Sequence, residues 1–178
     1  MELTIHKPEK LRINCGCWRN LLPGYVNIDM QVQARQCEHG ADIVLWDLNQ
    51  GIPVDDGLAC EVRADQFIEH LALPQIVKFL DECKRVLCEN GELRIEFPDI
   101  MAAAEGPLEC GWVRQTGAMV PGVSDELVML NLLTHEWGHR CILTMRHVLP
   151  MVRDRFTVTH AGIFETNATI IGRKHGAD

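Results

Sequence analysis

Hydrophobic and polar residues follow two periods along this chain. Leu11-Arg12-Ile13-Asn14-Cys15 alternates with a period of two and stops at Gly16, which predicts a first strand over residues 11–16 and a tight turn. Pro23-Gly24 marks a turn before Tyr25 to Met30, a second strand with Asp29 near its end. After the polar stretch 31–40, Ala41-Asp42-Ile43-Val44-Leu45-Trp46 predicts a third short strand closed by Asp47. Turn-rich residues 51–57 then lead to a fourth strand over Cys60 to Asp65, interrupted by charges.

From Leu73 the period becomes helical. Apolar residues fall at 73, 76, 77, 80, 83, 86 and 87, Pro74 sits in the first turn, and Asn90-Gly91 is the stop. Glu92 to Phe97 alternates again and ends at Pro98-Asp99, a fifth strand. Residues 100–144 contain Gly106-Pro107, Gly117 and Pro121-Gly122, with a helix predicted from its N-cap Ser124 to about Thr134. An insertion after a strand's carboxyl end is where a substrate lid is expected. A last helix from Leu143 to Arg153 holds Pro150, which should bend or restart it. Phe156 to His160 and Phe164 to Ile171 predict a closing hairpin through Ala161-Gly162. The sum is an α/β fold in one domain, residues 1–178: a Rossmann-like, doubly wound, mostly parallel seven-stranded sheet with an antiparallel terminal hairpin.

Composition narrows the function classes. With 178 residues, 47% of them hydrophobic, the chain can bury one good core. A net charge of -8 argues against broad phosphate neutralisation, so no general nucleic-acid binding is expected. Residues 1–10 lack a signal-peptide core, and no stretch reaches the ~20 apolar residues of a membrane span. A soluble, cytoplasmic protein is expected, with its eight cysteines reduced. The sequence leaves the oligomeric state open.

The candidate chemistry begins where strands end. A turn glycine after strand one lets backbone approach a ligand, and an acid ending strand two can accept hydrogen bonds from both ribose hydroxyls, so Gly16 and Asp29 outline a nucleotide site. Elsewhere, His135-Glu136-Trp137-Gly138-His139 spells H-E-x-x-H, which on a helix sets two imidazoles on one face for zinc while the glutamate activates water. Ile142 and Met145 stand where a metzincin continues with glycine and histidine, which leaves Glu165 in the terminal hairpin as a distant third ligand. Cys15-Gly16-Cys17 lacks both a second zinc-binding pair and the C-x-x-C redox spacing. No metal ligand is assigned. Trp18, Trp46, Trp112 and Trp137 are candidates for stacking on a base or for the core, and His147 for a helix surface.

Six stretches in order resemble the class I S-adenosylmethionine-dependent methyltransferases, specifically a compact bacterial and phage-type branch. They are Asn14-Cys15-Gly16-Cys17, Gly24-Tyr25-Val26-Asn27-Ile28-Asp29, Ala41 to Leu48, Phe67-Ile68-Glu69-His70-Leu71, Glu82 to Gly91, and Leu93 to Asp99. The resemblance implies that Asn14, Cys15 and Gly16 face the methionine portion of S-adenosylmethionine. It further implies that Asp29, with Met30 beside it, holds the ribose, that Asp47 with Leu48 addresses the adenine, and that Gln66 lies beside the sulfonium. Three departures stand out: Cys17 occupies the place of a usual second glycine, where its side chain is expected to crowd the cofactor, the usual acid beginning strand four is replaced around Cys60, and Glu89-Asn90-Gly91 replaces Pro-Gly-Gly. Asp99, His70 and His139 are the candidates for a base, if the acceptor arrives protonated. Asp99 and His70 also have structural readings, as a helix cap and a hydrogen-bonding group respectively. Without Asp/Asn-Pro-Pro-Tyr/Phe, exocyclic amines of DNA bases are not favoured; a small molecule, a sugar or a protein side chain remains as acceptor. The alternatives are a non-catalytic binding or regulatory relative and, through His135 to His139, a zinc metallohydrolase.

Overall fold

The alternation at the start of the chain becomes β1 (Leu11–Cys15), with Ile13 and Cys15 turned into the core and Arg12 exposed. The structure, a computed structural model, describes residues 11–31, 42–105, 128, 130, 133–134 and 138–175. Six further strands follow: β2 (Val26–Asp29), β3 (Asp42–Leu45), β4 (Ala59–Asp65), β5 (Leu87–Pro98), β6 (Phe156–Phe164) and β7 (Asn167–Lys174). They form one sheet in the order β3-β2-β1-β4-β5-β7-β6. The first five strands in that order run parallel, and β7 and β6 complete the sheet antiparallel. This is the architecture the sequence pattern predicts.

Three helices are described: α1 (Leu73–Val86), α2 (Ile100–Glu105) and α3 (Met145–Arg153). α1 packs Ile76, Phe79, Leu80, Cys83 and Val86 into the core with Ile13, Val62, Leu93 and Ile95. Its buried stripe is rotated from the predicted one. Leu73 and Val77 are exposed, and Phe79 is buried instead because Phe67 offers it an edge-to-face contact at 5.1 Å. The charges that interrupt β4 share one face of the sheet. There Arg63 pairs with Asp65, Arg94 of the neighbouring strand pairs with Glu96 at 2.8 Å, and Tyr25 donates to Glu61 at 2.7 Å.

Three local expectations change. Asn90-Gly91 does not separate helix from strand: β5 begins at once with fully buried Leu87, opposite Ala59, and the next pair is Glu61 with Glu92, so residues 88–91 bulge out of register with Asn90 at φ 61°. The terminal hairpin turns at Glu165-Thr166, where Glu165 takes φ 53°, because Ala161 and Gly162 are already paired with Ile170 and Thr169. Pro150 lies inside α3, which continues to Arg153 without a restart. Of the region 100–144, Ser124 and most of the expected lid lie outside the described residues.

The connection from β1 to β2 is the element that shapes the site. Parallel neighbours ordinarily need a crossover of a dozen or more residues, usually a helix. Here residues 16–25 suffice, with left-handed backbone at Gly16, Trp18 and Gly24. Buried Asn14 donates its amide to Asn20 O at 2.7 Å and to Asn27 Oδ1 at 2.9 Å. Fully buried Asn27 accepts from Leu22 N at 2.9 Å and donates to Leu22 O and Tyr25 O. These two side chains replace the hydrogen bonds a helix would have supplied to itself.

Candidate functional site

The chain leaves β1 for β2 and β3 on one side, then returns to the other side of β1 as β4. The strand order therefore reverses between β1 and β4, which in open α/β sheets is where a ligand crevice forms at the carboxyl edge. Gly16 follows β1 at that edge, Asp29 ends β2, and Gln66 and Phe67 follow β4.

Gly16 adopts φ 65°, and its N–H, with that of Cys17, donates to Ile28 O. A Cβ on Gly16 would lie 2.2 Å from Phe67 Cδ2, so the glycine is required by the packing of Phe67. The second left-handed position of the turn is Trp18, at φ 35° and 53% exposed, with the Arg19 guanidinium 4.4 Å from its ring. The Cys17 side chain is buried, and burial beside Asp29 pushes the thiol up to about 12. Cys15 is buried too, and burial likewise raises its thiol. All six described cysteines are free.

Asp29 is positioned by two backbone donors, Trp18 N to Oδ2 at 2.8 Å and Gln31 N to Oδ1 at 2.9 Å. A carboxylate offers about four lone-pair directions, so each oxygen retains capacity for one more donor. Met30 beside it is 60% exposed. Asp47 caps the 3-10 turn Leu48–Gln50 by accepting from Asn49 N and Asn49 Nδ2 on Oδ1 alone, and Leu48 is buried. Gln66 is exposed at φ 53° and donates to Asn167 Oδ1 at 3.2 Å. Asn14 and Cys15 are not presented to the edge by their side chains: the first closes the short loop and the second is core. A cleft of about 310 Å³ between residues 48–51 and α1 contains neither Gly16 nor Asp29.

The three candidates for a base have separate fates. Asp99 is 2% exposed and accepts from Met101 N and Ala102 N on Oδ1 and from Met145 N on Oδ2. It caps α2 and holds the first residue of α3, as its structural reading expects. His70 and His139 meet edge to face, with ring centroids 4.9 Å apart. Beside them lies Glu69, within the stretch Phe67 to Leu71 that resembles the methyltransferase family. Glu69 is 1% exposed, neither carboxylate oxygen has a hydrogen-bond partner among the described residues, and burial raises its pKa to about 8. The signal for it in the sequence is an acid inside the apolar run Phe67 to Leu71. Burial, with His70 nearby, lowers the pKa of His139. His135 and Glu136 lie outside the described residues. Glu165, at the tip of the β6–β7 turn, is not in the cluster that holds His139. His147 is a surface residue of α3, in contact with Thr144 Oγ1 at 2.7 Å. Trp46 is half-buried and donates to Gly51 O.

No protein-family model matches the chain, and no curated protein sequence matches it. Solved structures do. An S-adenosylmethionine-dependent methyltransferase from Mesorhizobium loti superposes with a TM-score of 0.62 and 12% identity over 94% of each chain. The chain has the class I methyltransferase fold. The N-methyltransferase NodS from Bradyrhizobium japonicum WM9, in complex with S-adenosyl-L-homocysteine, matches at a TM-score of 0.59 and 14% identity over 93% of this chain and 78% of that one. Magnesium protoporphyrin IX methyltransferase from Synechocystis PCC 6803 matches at 0.59 and 13% over 94% and 75%. Methyltransferase-fold likeness thus spans nearly the whole chain at low identity. Among the described residues no helix is long and apolar enough to cross a membrane.

Proposed function

We propose that this methyltransferase-fold protein binds S-adenosylmethionine across the carboxyl ends of β1, β2 and β4 and transfers its methyl group to an acceptor. The observation that carries this reading is Asp29, fixed at the end of β2 by Trp18 N and Gln31 N with lone pairs remaining, beside the left-handed turn at the strand-order switch. Asp29 would accept the ribose hydroxyls, and Asp47 Oδ2, which takes no hydrogen bond among the described residues, would accept from the adenine amine.

When bound, S-adenosylmethionine supplies a methyl group already activated on a sulfonium. The chain's own work is then to orient the acceptor in line with the carbon–sulfur bond and to exclude water. The acceptor class is a small molecule, a sugar or a protein side chain. One observation favours a second reading, a binding or regulatory protein without catalysis: the Phe67 ring lies directly over Gly16 at the crevice.

Calorimetry with S-adenosylmethionine and S-adenosylhomocysteine tests the first reading. One-to-one binding of both is expected, weakened by about 2–3 kcal/mol in Asp29→Ala through loss of hydrogen bonds to a charged acceptor. No heat with either ligand would refute it, and unchanged affinity in the variant would place the ribose elsewhere.

A further inference from the structure

Glu69, His70 and His139 come together from two separate parts of the chain. Each offers a ligand atom, and the three atoms lie within 4.8 Å of one another. The backbone builds this meeting: Glu69 O accepts from both Arg140 N at 2.8 Å and Cys141 N at 3.0 Å, which pins the strand of chain after Gly138 against the 3-10 turn Ile68–His70.

Both rings face a backbone carbonyl through Nδ1. His70 Nδ1 lies 3.3 Å from Gly138 O, and His139 Nδ1 lies 2.7 Å from Leu133 O. A carbonyl only accepts, so a proton on Nδ1 completes each contact and makes Nε2 the ligand nitrogen. This is the outer-shell arrangement that orients metal-bound histidines. The third member supplies what a core does not tolerate without a reason: Glu69 is 1% exposed and, among the described residues, neither of its carboxylate oxygens has a hydrogen-bond partner.

We propose that Glu69, His70 and His139 form a binding site for a divalent transition-metal ion of the zinc class. Two imidazoles and one carboxylate are the three-ligand set that leaves a fourth position open, and the mixed nitrogen and oxygen donors favour zinc or cobalt over magnesium. Bonds of about 2.0–2.1 Å put tetrahedral donors roughly 3.4 Å apart. Closure from 4.8 Å is a side-chain adjustment within the cluster. The site differs from the H-E-x-x-H reading, since it uses His139 with Glu69 and His70 and does not call on His135. It stands independently of cofactor binding.

The test uses the full chain, stripped with chelator, dialysed and titrated with Co²⁺ and then Zn²⁺. One equivalent of Co²⁺ is expected to give visible d–d absorption, displaced by Zn²⁺ and unaffected by excess Mg²⁺. Glu69→Gln, His70→Ala and His139→Ala should each weaken Co²⁺ binding by at least about tenfold, and His135→Ala and His160→Ala should leave it unchanged. Because a core variant can fail to fold, X-ray absorption on the zinc-loaded wild type gives the same answer directly: two imidazoles, oxygen donors and no sulfur. Absent stoichiometric binding, sulfur ligation, or binding lost in His135→Ala but retained in Glu69→Gln would overturn the assignment.

Discussion

Asn27→Ala removes the centre of the loop that stands in for the first crossover helix. Asn27 is fully buried, and its hydrogen bonds include those from Leu22 N and Asn14 Nδ2 to Oδ1 and from Nδ2 to Leu22 O and Tyr25 O. Each neutral hydrogen bond is worth about 0.5–1.5 kcal/mol net, and the backbone groups of Leu22 and Tyr25 recover some hydration, so a loss of about 3–4 kcal/mol is expected. For a domain of this size that is a fall in Tm of roughly 6–16 °C. Urea unfolding followed by tryptophan fluorescence measures it as a shift in midpoint at constant slope.

The partner residue sharpens the test. Asn14→Ala should cost about 2 kcal/mol, and the double variant should be less destabilised than the sum by about 1 kcal/mol, the value of the bond the two share. Asn27→Asp keeps the acceptor but turns an oxygen toward two carbonyls at 3.1–3.2 Å. Its folded-state pKa is then raised above the unfolded value, so the variant should regain stability as pH falls and the new acid protonates. A loss below about 1 kcal/mol in Asn27→Ala, or full additivity with Asn14→Ala, would refute the claim that this pair holds the loop.

Asp99→Ala should cost about 2–4 kcal/mol, since it uncaps α2 and releases α3, and should leave cofactor affinity unchanged below the melting temperature; full stability with lost methyl transfer would assign Asp99 to catalysis. Gly16→Ala combines a left-handed alanine with a clash at Phe67 and should cost about 2–4 kcal/mol, partly recovered by adding Phe67→Ala; no recovery would mean the clash is not with that ring. Glu82, hydrogen-bonded by Arg85 and by Ile52 N, has its pKa lowered chiefly by Arg85, so its stabilisation is present above the unfolded carboxylate range and lost as pH falls through the folded value. The Tm difference between wild type and Glu82→Gln should therefore close on acidification, and a gap that widened would contradict this.

The sequence by itself determined the seven strands, α1 and the class of fold, because alternation and 3.6-residue periodicity are local records of which side chains face a core. It also placed Gly16, Asp29 and Asp47 at strand ends. Local pattern carries no information about what occupies a turn from across the molecule. Only the tertiary structure showed that Gly16 makes room for Phe67, that Asn14 is spent on Asn27, and that Asp99 serves two helices separated by about forty residues of chain. The meeting of Glu69 and His70 with His139 was decided in the same way. Neither segment specifies the other by spacing; the backbone bonds from Arg140 and Cys141 to Glu69 bring them together, and the fold buries the Glu69 side chain there.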